Sequence, residues 1–486
     1  MAENESTIER VISKISPQWA LKRQQAHAAL GVLREYEGAK KAKRRAGWNP
    51  AAKSQNLESL KDAAILRNRA RDLIRNNGWA KSAHLGFGCH LVGTGIVPKF
   101  KVGSKIVKDY DEQWKTWAET TLCDVTNRNT FYGIQRLAAL TMHNSGEVLI
   151  RRVPYRNQAR NLKIKAPQFR LQVLEPEFID ISKNDPKTGL IQGVQVDKYG
   201  APTGYWLFTA HPSELKTESV LFKSADVIHL FDERRPGQVR GVTEFDATLE
   251  TIKSIDDYED AGLQSRKISA LMSVFLTGID INDDGTQAYD IPTTIEPGSI
   301  TTLPPNVDVK HVTPPIASEH RDYTRSLMHK VAAGMGQSYE SLTHDLSDTN
   351  YSSIRAGRVD QDRFNSVMRE TVFIPKFCDR VALWFLDDPF VMAKPEITVS
   401  WISPAVAMID PEKESIAYKN MSRNGLMSHS DLLNKLGNDP DEYLEEAAEW
   451  NAKLDSMGII LDTDPRNTDL QGKSRLPTTP DPTVAL

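Results

Sequence analysis

The sequence predicts an α+β protein in which a mixed α/β region is followed by long helices that flank a small β-rich insert. Two observations support this class. Apolar residues recur at three- and four-residue steps over several long stretches, which is typical of amphipathic helices. Short runs of β-branched and aromatic residues, bounded by turn residues, lie between about residues 92 and 230 and are typical of strands. No internal repeat is evident in the sequence.

Composition narrows the class of protein. A chain of 486 residues ordinarily holds two to four domain-sized units, and 40% hydrophobic with 26% charged residues is an ordinary globular composition. No apolar run approaches the roughly eighteen residues of a membrane span, and the polar, acidic start is unlike a secretory signal. Cys89, Cys123 and Cys378 are far apart and odd in number, so we expect no disulfide framework, no zinc site and a reducing cytosol.

Charge is distributed unevenly along the chain. Residues 1–170 hold 31 Lys and Arg against 14 Asp and Glu, whereas residues 171–486 hold the remaining 30 against 50. Such asymmetry can mark a nucleic-acid or acidic partner for the basic part, although solvated surface charge is the commoner explanation. The near-neutral whole argues against a protein that grips duplex DNA tightly through many phosphate contacts.

The first half of the chain is predicted as helices followed by strands. Residues 1–45 are interpreted as a mostly helical arm that ends in a basic run. Residues 57–90 are interpreted as a second helical stretch that Asn77-Gly78 interrupts or caps. Strands are predicted for VLIRRV (148–153), for FRLQVL (169–174) and for the pair that flanks the turn at residues 199–202.

The most informative stretch is the charged turn HLFDERRPGQVRG, His229 to Gly241, which precedes a long helical pattern. Its proline fixes its own φ and its two glycines can adopt backbone angles that other residues avoid, so we expect a rigid corner. Thr243, with Asp246 three residues later, predicts a helix start that resembles a capping box. The helical pattern then runs without proline to about Leu276, which corresponds to a rod of roughly 45–50 Å.

Loops and helices alternate after this rod. Residues 277–315 are rich in Thr, Pro, Gly and Asp with short strand-like pieces, and residues 336–350 are predicted as a polar loop. The tail after Asp464 is predicted to be disordered, because it is rich in Pro, Thr and Asp. Helices are predicted for residues 317–335, for about three dozen residues after the polar loop with an interruption near Pro375, and for the acidic stretch 412–460.

Signatures of catalysis are weak. The sequence has no GxxxxGK[ST] phosphate loop, no HExxH and no GxSxG elbow, so we expect neither an ATP-driven motor nor another enzyme. The stretch from Asp280 to Gly285 matches the first half of a calcium loop, but Ile291 stands where the bidentate Glu belongs. A tight Asp/Asn/Gly turn explains the same residues, so we expect no metal and no cofactor.

The chain carries motifs that are spread along most of its length: GWNP (47–50), RNRARDLIRNNGWA (67–80), HLVGTGIVP (90–98), HLFDERRPGQVRG (229–241), KVAAGMGQSYESLTHDLSDTNYSSIRAGR (330–358), WISP (401–404) and IDPEKES (409–415). Together these motifs resemble the lambda-type portal proteins of tailed bacteriophages, which form the ring that connects head and tail. The resemblance covers roughly residues 35–465.

The resemblance implies a portal fold with a mixed α/β wing, long stem helices, a small β-rich clip and a helical crown. It also implies assembly into a homo-oligomeric ring, usually of twelve subunits. The parts would be an N-terminal arm (1–45), the first part of the wing (46–240), stem helix 1 (241–276), the clip (277–315), stem helix 2 (316–335), the tunnel loop (336–350), the second part of the wing with its long helix (351–408), the crown (409–465) and a disordered tail (466–486).

The resemblance further implies a function. The ring would assemble in the host cytoplasm, nucleate the procapsid, sit at one capsid vertex of the virion and form the channel for packaging and ejecting double-stranded DNA. Its partners would be copies of itself, the large terminase subunit, head–tail adaptor proteins, and the major capsid and scaffold proteins, with no membrane. Two other hypotheses stay open, namely a capsid shell or scaffold protein and a DNA-processing packaging enzyme.

Candidate functional residues follow from helical phase combined with the resemblance. Acidic side chains that line a bore repel phosphate, and a few cations offset that repulsion. Outward-facing charges that keep a stem soluble would look the same. The candidates are Glu250, Lys253, Asp257 and Lys267 in the stem; Gln337, Ser338, Ser341, Thr343 and His344 in the tunnel loop; Asp280, Asp283 and Asp284 on the clip, facing the motor or adaptor; and Arg234, Arg235 and Arg240 at a subunit interface.

Overall fold

The computed structural model describes residues 16–19, 22, 50–103, 105–155, 167–215, 217–270, 274–277, 308–311, 320–391, 396–405, 408–461, 463, 464 and 466–468. The chain divides into two compact units, Met1–Ser54 and Gln55–Leu486, and all contacts discussed below lie within the second. Most of the predicted arm, clip and tail therefore lies outside the described residues. In the part that is described, no helix is long and apolar enough to cross a membrane.

The second unit is built from helices and antiparallel strands. Its helices are α1 (Gln55–Asn76), α2 (Gly78–Val92), α3 (Lys108–Ala118), α4 (Phe131–Ser145), α5 (Leu249–Ala270), α6 (His320–Gly334), α7 (Tyr339–Thr343), α8 (Tyr351–Met368), α9 (Asp379–Leu386), α10 (Pro411–Arg423), α11 (His429–Lys435) and α12 (Pro440–Met457). Its strands are β1 (Val97–Val102), β2 (Lys105–Ile106), β3 (Glu147–Pro154), β4 (Phe169–Leu174), β5 (Leu190–Ile191), β6 (Val194–Val196), β7 (Pro202–Phe208), β8 (Ser219–Lys223), β9 (Val227–Phe231), β10 (Val274–Thr277), β11 (Asp308–His311) and β12 (Ile397–Ile402).

A capped break separates the first two helices. Asn77 is the N-cap of α2, and its side-chain oxygen accepts a hydrogen bond from the backbone N–H of Ala80 at 3.0 Å. An extended Asn at this position satisfies one of the free N–H groups at a helix start. The predicted interruption at Asn77-Gly78 is confirmed.

Small antiparallel sheets form the mixed part of the fold. β3 lies between β4 and β9, β5 to β8 form a meander, and β1 pairs with both β2 and the late strand β12. The strands predicted at 148–153 and 169–174 correspond to β3 and β4, and the predicted pair around residues 199–202 corresponds to β6 and β7. The α+β class predicted from the sequence is confirmed.

Two hydrophobic cores position the helices. In the larger core, Trp114 and Trp117 of α3 pack against Phe131 of α4 and Phe385 of α9, with ring centroids 5.0 to 6.3 Å apart in tilted and edge-on arrangements. In the second core, the apolar faces of α1, α2, α5, α6 and α7 meet. The helix that follows the corner is therefore anchored directly to the first two helices.

The helix after the corner starts later than predicted. Residues 244–248 form turns, and α5 begins at Leu249 rather than near Thr243. The buried Thr243 hydroxyl donates to the His143 carbonyl at 3.2 Å and accepts from the Phe245 N–H at 3.3 Å. Asp246 binds Arg234 instead of completing a capping box, so the prediction of the helix start was wrong.

The far end of this helix was also predicted wrongly. α5 ends at Ala270, and the run predicted to continue it to Leu276 contains β10, which pairs with β11. Val, Phe and Thr favour strands, and cross-strand pairing outweighs the helical spacing of the apolar residues. With 22 residues at 1.5 Å rise, α5 is about 33 Å long.

The predicted polar loop at 336–350 contains the short helix α7. Ser338 caps this helix, because its hydroxyl accepts a hydrogen bond from the Ser341 N–H at 3.1 Å. Tyr339 and Leu342 lie three residues apart, so both point to the second core, where they are buried. The segment is packed onto the body of the protein rather than being a free loop.

The predicted long helix is present. α8, a π-helical stretch (Arg369–Cys378) and α9 form one continuous run. Pro375 lies in the π-helical stretch. Because proline lacks an N–H and clashes with the preceding turn of an α-helix, the wider π-turn accommodates it. The interruption predicted near Pro375 is thus a change of helix type.

The C-terminal helices have almost no core of their own. Of the side chains in α10, α11 and α12, only that of Leu454 is buried. Their starts are well capped, because Asp410, Ser428 and Asp439 each accept a hydrogen bond from a backbone N–H two or three residues later. The predicted helical character of 412–460 is confirmed, but local capping rather than burial defines it.

Replacing Gly241 by Ala should destabilise the protein. An added Cβ would lie 2.1 Å from the carbonyl oxygen of Gly146, a backbone atom that cannot move aside. We expect a loss of about 1–3 kcal/mol in the free energy of unfolding, the usual cost of overpacking, measured by chemical denaturation. Gly78→Ala is the matched control, because nothing lies within 4 Å of a Cβ added there. Equal stability of the two variants would contradict the close approach.

Candidate functional site

The corner between β9 and α5 is organised around the carboxylate of Glu147, which is 1% exposed. Arg240 places Nε and Nη2 at 2.9 and 2.5 Å from one oxygen. His229 Nε2 and the backbone N–H of Gly241 each lie 2.8 Å from the other. A buried carboxylate is tolerated only when it is paired and hydrogen-bonded in this way. Glu147 therefore joins β3 to β9 and to the end of the corner.

A second layer of charge connects the corner to α1. Arg67 Nε lies 2.9 Å from Glu177, and Arg67 Nη1 lies 3.6 Å from Glu147. Arg71 pairs with Glu177 at 2.8 Å and donates to the hydroxyl of Ser145, the last residue of α4, at 2.9 Å. The same network of charges thus holds α1, α4 and the corner together.

Electrostatics identify this network as a structural joint. Burial opposes ionisation of Glu147, but the charge of Arg240 and the hydrogen bond from His229 outweigh it and hold the pKa of Glu147 well below its usual range. Burial lowers the pKa of His229, so a neutral ring donates Nε2–H to the carboxylate. All three side chains are buried. The arrangement offers no exposed acid, base or nucleophile to a substrate.

The three arginines predicted at a subunit interface all form ion pairs within the chain. Arg240 is buried on Glu147. Arg234 and Arg235 form ion pairs of 2.5 to 2.8 Å with acids in the turn before α5 and in α1. Arg240 does not reach the surface, so the interface prediction is wrong for Arg240. For the partly exposed Arg234 and Arg235 it stays a prediction.

Two buried histidines lie beside the corner. The Nδ1 atoms of His84 in α2 and His143 in α4 are 3.3 Å apart, so one ring donates and the other accepts. His143 stacks on Phe87 with ring centroids 4.4 Å apart, and its backbone carbonyl accepts from the Thr243 hydroxyl. Burial, reinforced by the charge of Arg136, lowers the pKa of His84 to about 4, and burial lowers the pKa of His143 well below its usual value. Both rings are therefore neutral at neutral pH.

The four predicted stem residues share one exposed face of α5. Glu250, Lys253, Asp257 and Lys267 are all exposed. Their spacing of three, seven and seventeen residues from Glu250 places them on one strip of the helix. Lys253 and Asp257 form an exposed ion pair at 2.7 Å. The opposite face of the first turns packs into the second core, which leaves the charged strip open to solvent.

The five predicted tunnel-loop residues lie together around α7, but they are not equally exposed. Gln337 is buried and donates to a carbonyl of α2 at 2.7 Å. Ser338, Ser341 and Thr343 are half-buried and hydrogen-bonded within α7. His344 ends α7 in the left-handed conformation and is exposed. The three clip candidates, Asp280, Asp283 and Asp284, lie outside the described residues.

A group with the composition of a metal site lies near the charge network. Ligand atoms of Glu175, Glu177 and His211 all lie within 4.8 Å of one another. Arg71 pairs with both carboxylates, at 3.3 and 2.8 Å. A guanidinium thus occupies the position that a cation would take, so these residues are better explained as part of the charge network.

The chain is similar to known phage proteins in sequence. The chain matches the family described as phage portal protein, lambda family, over residues 41–369. It is 25% identical over 469 residues to the probable portal protein of Halomonas phage phiHAP-1, which covers 88% of each chain. It is 22% identical over 480 residues to the portal protein of Escherichia phage N15, which covers 85% of this chain and 88% of the relative. Among solved structures, the neck of an empty GTA particle computed with C6 symmetry is similar with a TM-score of 0.48 and 12% identity, over 78% of this chain and 94% of that chain.

Replacing Glu147 by Gln should destabilise the protein strongly, because it leaves Arg240 buried without a countercharge. We expect a loss of roughly 3–5 kcal/mol in the free energy of unfolding, the usual effect of breaking a buried ion pair, seen as a large drop in Tm. Arg235→Ala is the matched control. Its pair with Glu58 is exposed, so we expect a loss of less than about 1 kcal/mol. Similar losses in both variants would argue against a central role for Glu147.

Acid should weaken the joint through the histidine pair. The pKa of His84 is about 4 in the folded chain and about 6.5 in an unfolded one. Between these values the unfolded chain binds more protons, so the free energy of unfolding falls as the pH decreases. His84→Gln keeps a polar partner for His143 and should reduce the loss in Tm between about pH 7.5 and about pH 5. An unchanged pH dependence would speak against a buried neutral pair.

Proposed function

The chain belongs to the lambda family of phage portal proteins, and from this premise we propose that it forms the ring through which double-stranded DNA enters and leaves the phage head. Members of this family are structural head–tail connectors and not enzymes. The proposed ring is a homo-oligomer of twelve copies, and DNA passes through its centre without sequence-specific contacts.

One observation carries the channel proposal, namely that two packed helices, α5 and α6, are joined along the chain through the strand pair β10–β11. The two helices pack side by side in the second core, and Tyr258 meets Tyr323 edge-on with ring centroids 5.5 Å apart. β10 follows α5, β11 precedes α6, and the two strands pair antiparallel. Two packed helices that follow the corner and are joined through antiparallel strands support the assignment of α5 and α6 as the stem of the ring.

The exposed face of α5 has the chemistry of a conduit. Glu250, Asp257 and Asp260 share it with Lys253 and Lys267. A wholly cationic face would bind phosphates tightly and release them only at high salt, whereas a wholly acidic face would repel DNA. A mixed face with a small excess of acid lets the duplex pass without being held. We therefore assign these side chains to the channel wall.

The segment at α7 is proposed as the tunnel loop. His344 is its exposed candidate, and residues 346–348, two positions further along, are exposed as well. Gln337, Ser338, Ser341 and Thr343 bond within the chain, so their role in the proposal is to position α7 rather than to touch DNA. The ring N–H of His344 can donate a hydrogen bond to a phosphate oxygen.

The remaining assignments rest on family membership. Residues 46–240 and 351–408 form the wing, and residues 409–465 form the crown. The clip at 277–315 docks the large terminase subunit during packaging and the head–tail adaptor proteins afterwards. The ring assembles in the host cytoplasm with major capsid and scaffold proteins, nucleates the procapsid, and occupies one vertex of the finished virion.

Electron microscopy of the purified protein tests this proposal against its two rivals. A portal should give rings with a central hole wide enough for duplex DNA. A shell or scaffold protein should give closed cages, and a DNA-processing enzyme should give compact monomers. Cages or monomers across a broad range of protein concentration would overturn the proposal.

Reversing the acids of the channel face should convert the conduit into a DNA binder. Glu250→Lys combined with Asp257→Lys adds positive charge at many positions around the bore. We expect at least about a tenfold increase in the retention of duplex DNA by purified rings at low salt, and the increase should disappear as salt rises. Retention is measured by cosedimentation of rings with labelled DNA.

The matched control reverses two exposed acids of the wing, Glu214→Lys with Asp226→Lys, which add the same charge away from α5. Retention by the control should change much less than retention by the stem variant. Equal retention by the two variants would show that the added charge acts from the outer surface and that the strip on α5 does not face the channel.

A further inference from the structure

We propose that a pocket between α10 and α11 of one copy receives the exposed apolar face of α12 of the next copy around the ring. The inference rests on the proposed ring and names the contact that joins neighbouring copies at their C-terminal helices. Four features of residues 408–461 support it: the C-terminal helices bury almost no side chains, α12 has an exposed apolar face, a pocket lies between α10 and α11, and the two surfaces carry opposite charge.

The C-terminal helices are incomplete as a separate structure. They contain 13, 7 and 18 residues, and Leu454 is their one buried side chain. Helices of this length are marginal in water unless an apolar face is buried against another element. Large apolar side chains are exposed instead at Ile416, Met421, Leu426, Leu444, Trp450 and Met457. Large exposed apolar side chains on helices with so little core indicate an interaction site.

The apolar face of α12 is regular. Tyr443, Trp450 and Met457 follow one another at seven-residue steps and therefore lie on one side of the helix. They are 48%, 55% and 63% exposed. Glu446, four residues before Trp450, lies beside this row and is exposed as well. α12 thus presents an aromatic and aliphatic ridge with a carboxylate at its edge.

Ion pairs to the body of the protein fix how α12 is turned. Glu442 lies 2.8 Å from Lys99 of β1, and Glu445 lies 2.6 Å from Lys108 of α3. Because these two acids occupy a different side of α12 from Trp450, the helix cannot rotate its ridge inwards without losing them. The ridge is held outward from the subunit that carries it.

The pocket between α10 and α11 complements this ridge. It has a volume of about 490 Å³, and Tyr418, Leu432 and Leu436 form apolar parts of its wall. Lys419 and Arg423 also line it, one helical turn apart on α10, and neither forms an ion pair with another described residue. An apolar pocket with cations in its lining fits an apolar ridge that has a carboxylate at its edge.

A second copy of the chain is the occupant that this arrangement favours. The ridge and the pocket are different surfaces of one subunit, so a contact between them is heterologous and leaves a free ridge at one end and a free pocket at the other. Such contacts close into rings when the rotation per copy divides a full turn. Each added copy therefore buries one ridge and brings the Glu446 carboxylate close to Lys419 and Arg423.

Charge reversal tests the contact in the full-length protein. Lys419→Glu with Arg423→Glu should raise the protein concentration at which half of the chains are in rings by about tenfold or more, equivalent to about 1.4 kcal/mol. The concentration is measured by mass photometry over a dilution series. Adding Glu446→Lys to the same chain should restore part of the lost assembly. Lys187→Glu with Lys198→Glu, on exposed turns of the wing, is the control that should leave assembly unchanged.

Crosslinking gives an independent readout. One protein carries Lys419→Cys and another carries Glu446→Cys, both with the exposed Cys89 replaced by Ser. Oxidation of co-assembled mixtures should yield disulfide-linked dimers that contain one chain of each kind, whereas neither protein alone should. Because the two introduced cysteines are on different chains, a disulfide between them cannot form within one chain.

The outcomes distinguish failure of the proposed contact from failure of the proposed ring. Rings that resist charge reversal and give no mixed dimers would overturn the contact and leave the proposed ring intact, with an adaptor protein or residues 469–486 as the alternative occupant of the pocket. Failure of the unaltered protein to form rings would overturn the proposed function, and the contact with it.

Discussion

The desolvation of one carboxylate, that of Glu147, is the constraint on which the rest of the structure depends. A charge removed from water is costly unless every oxygen finds a donor. Here a guanidinium, an imidazole and a backbone N–H converge on it from β9 and the corner, and Arg67 approaches from α1. Because these donors are directional, the chain can satisfy them in one arrangement only. Gly241 is part of the same arrangement, because its backbone N–H must come close enough to Glu147 to donate a hydrogen bond.

This constraint determines the direction in which the chain leaves the sheet. An apolar contact tolerates sliding, whereas a carboxylate held by several hydrogen bonds does not. The corner therefore delivers α5 to a fixed place, against α1 and α6 in the second core. In the proposed ring, α5 would meet the same helix in neighbouring copies, and a fixed exit suits this role because an angular error in one subunit would be repeated at every contact.

Features set by local chemistry could be predicted from the sequence. The break at Asn77-Gly78 depends on a cap that lies three residues from its partner, and β3 and β4 depend on their own alternation and flanking turns. The position of this break and of these strands follows from nearby residues and not from contacts with distant ones. The motifs that indicated the portal family were also local stretches, and the match over 41–369 bears them out.

Features set by distant contacts could not be predicted. Arg240 finds Glu147 across 93 residues, and His84 finds His143 across 59. The helical spacing that continued to Leu276 was overridden by a strand partner at 308–311. In each case the local pattern was compatible with two structures, and a side chain far along the chain decided between them. The short helix α7 is another example, because its burial depends on α2 and α6.

The nearly coreless C-terminal helices have a thermodynamic consequence. The larger core, whose aromatic side chains are buried within one chain, keeps the same stability at any dilution. Under the proposed contact between copies, the stability of α10 to α12 instead follows mass action. Their order should grow with the number of chains present, and the last residues to become protected from hydrogen exchange should be those of α10 to α12. The protease sensitivity of α10 to α12 would then fall as more subunits assemble, so it would measure the extent of assembly.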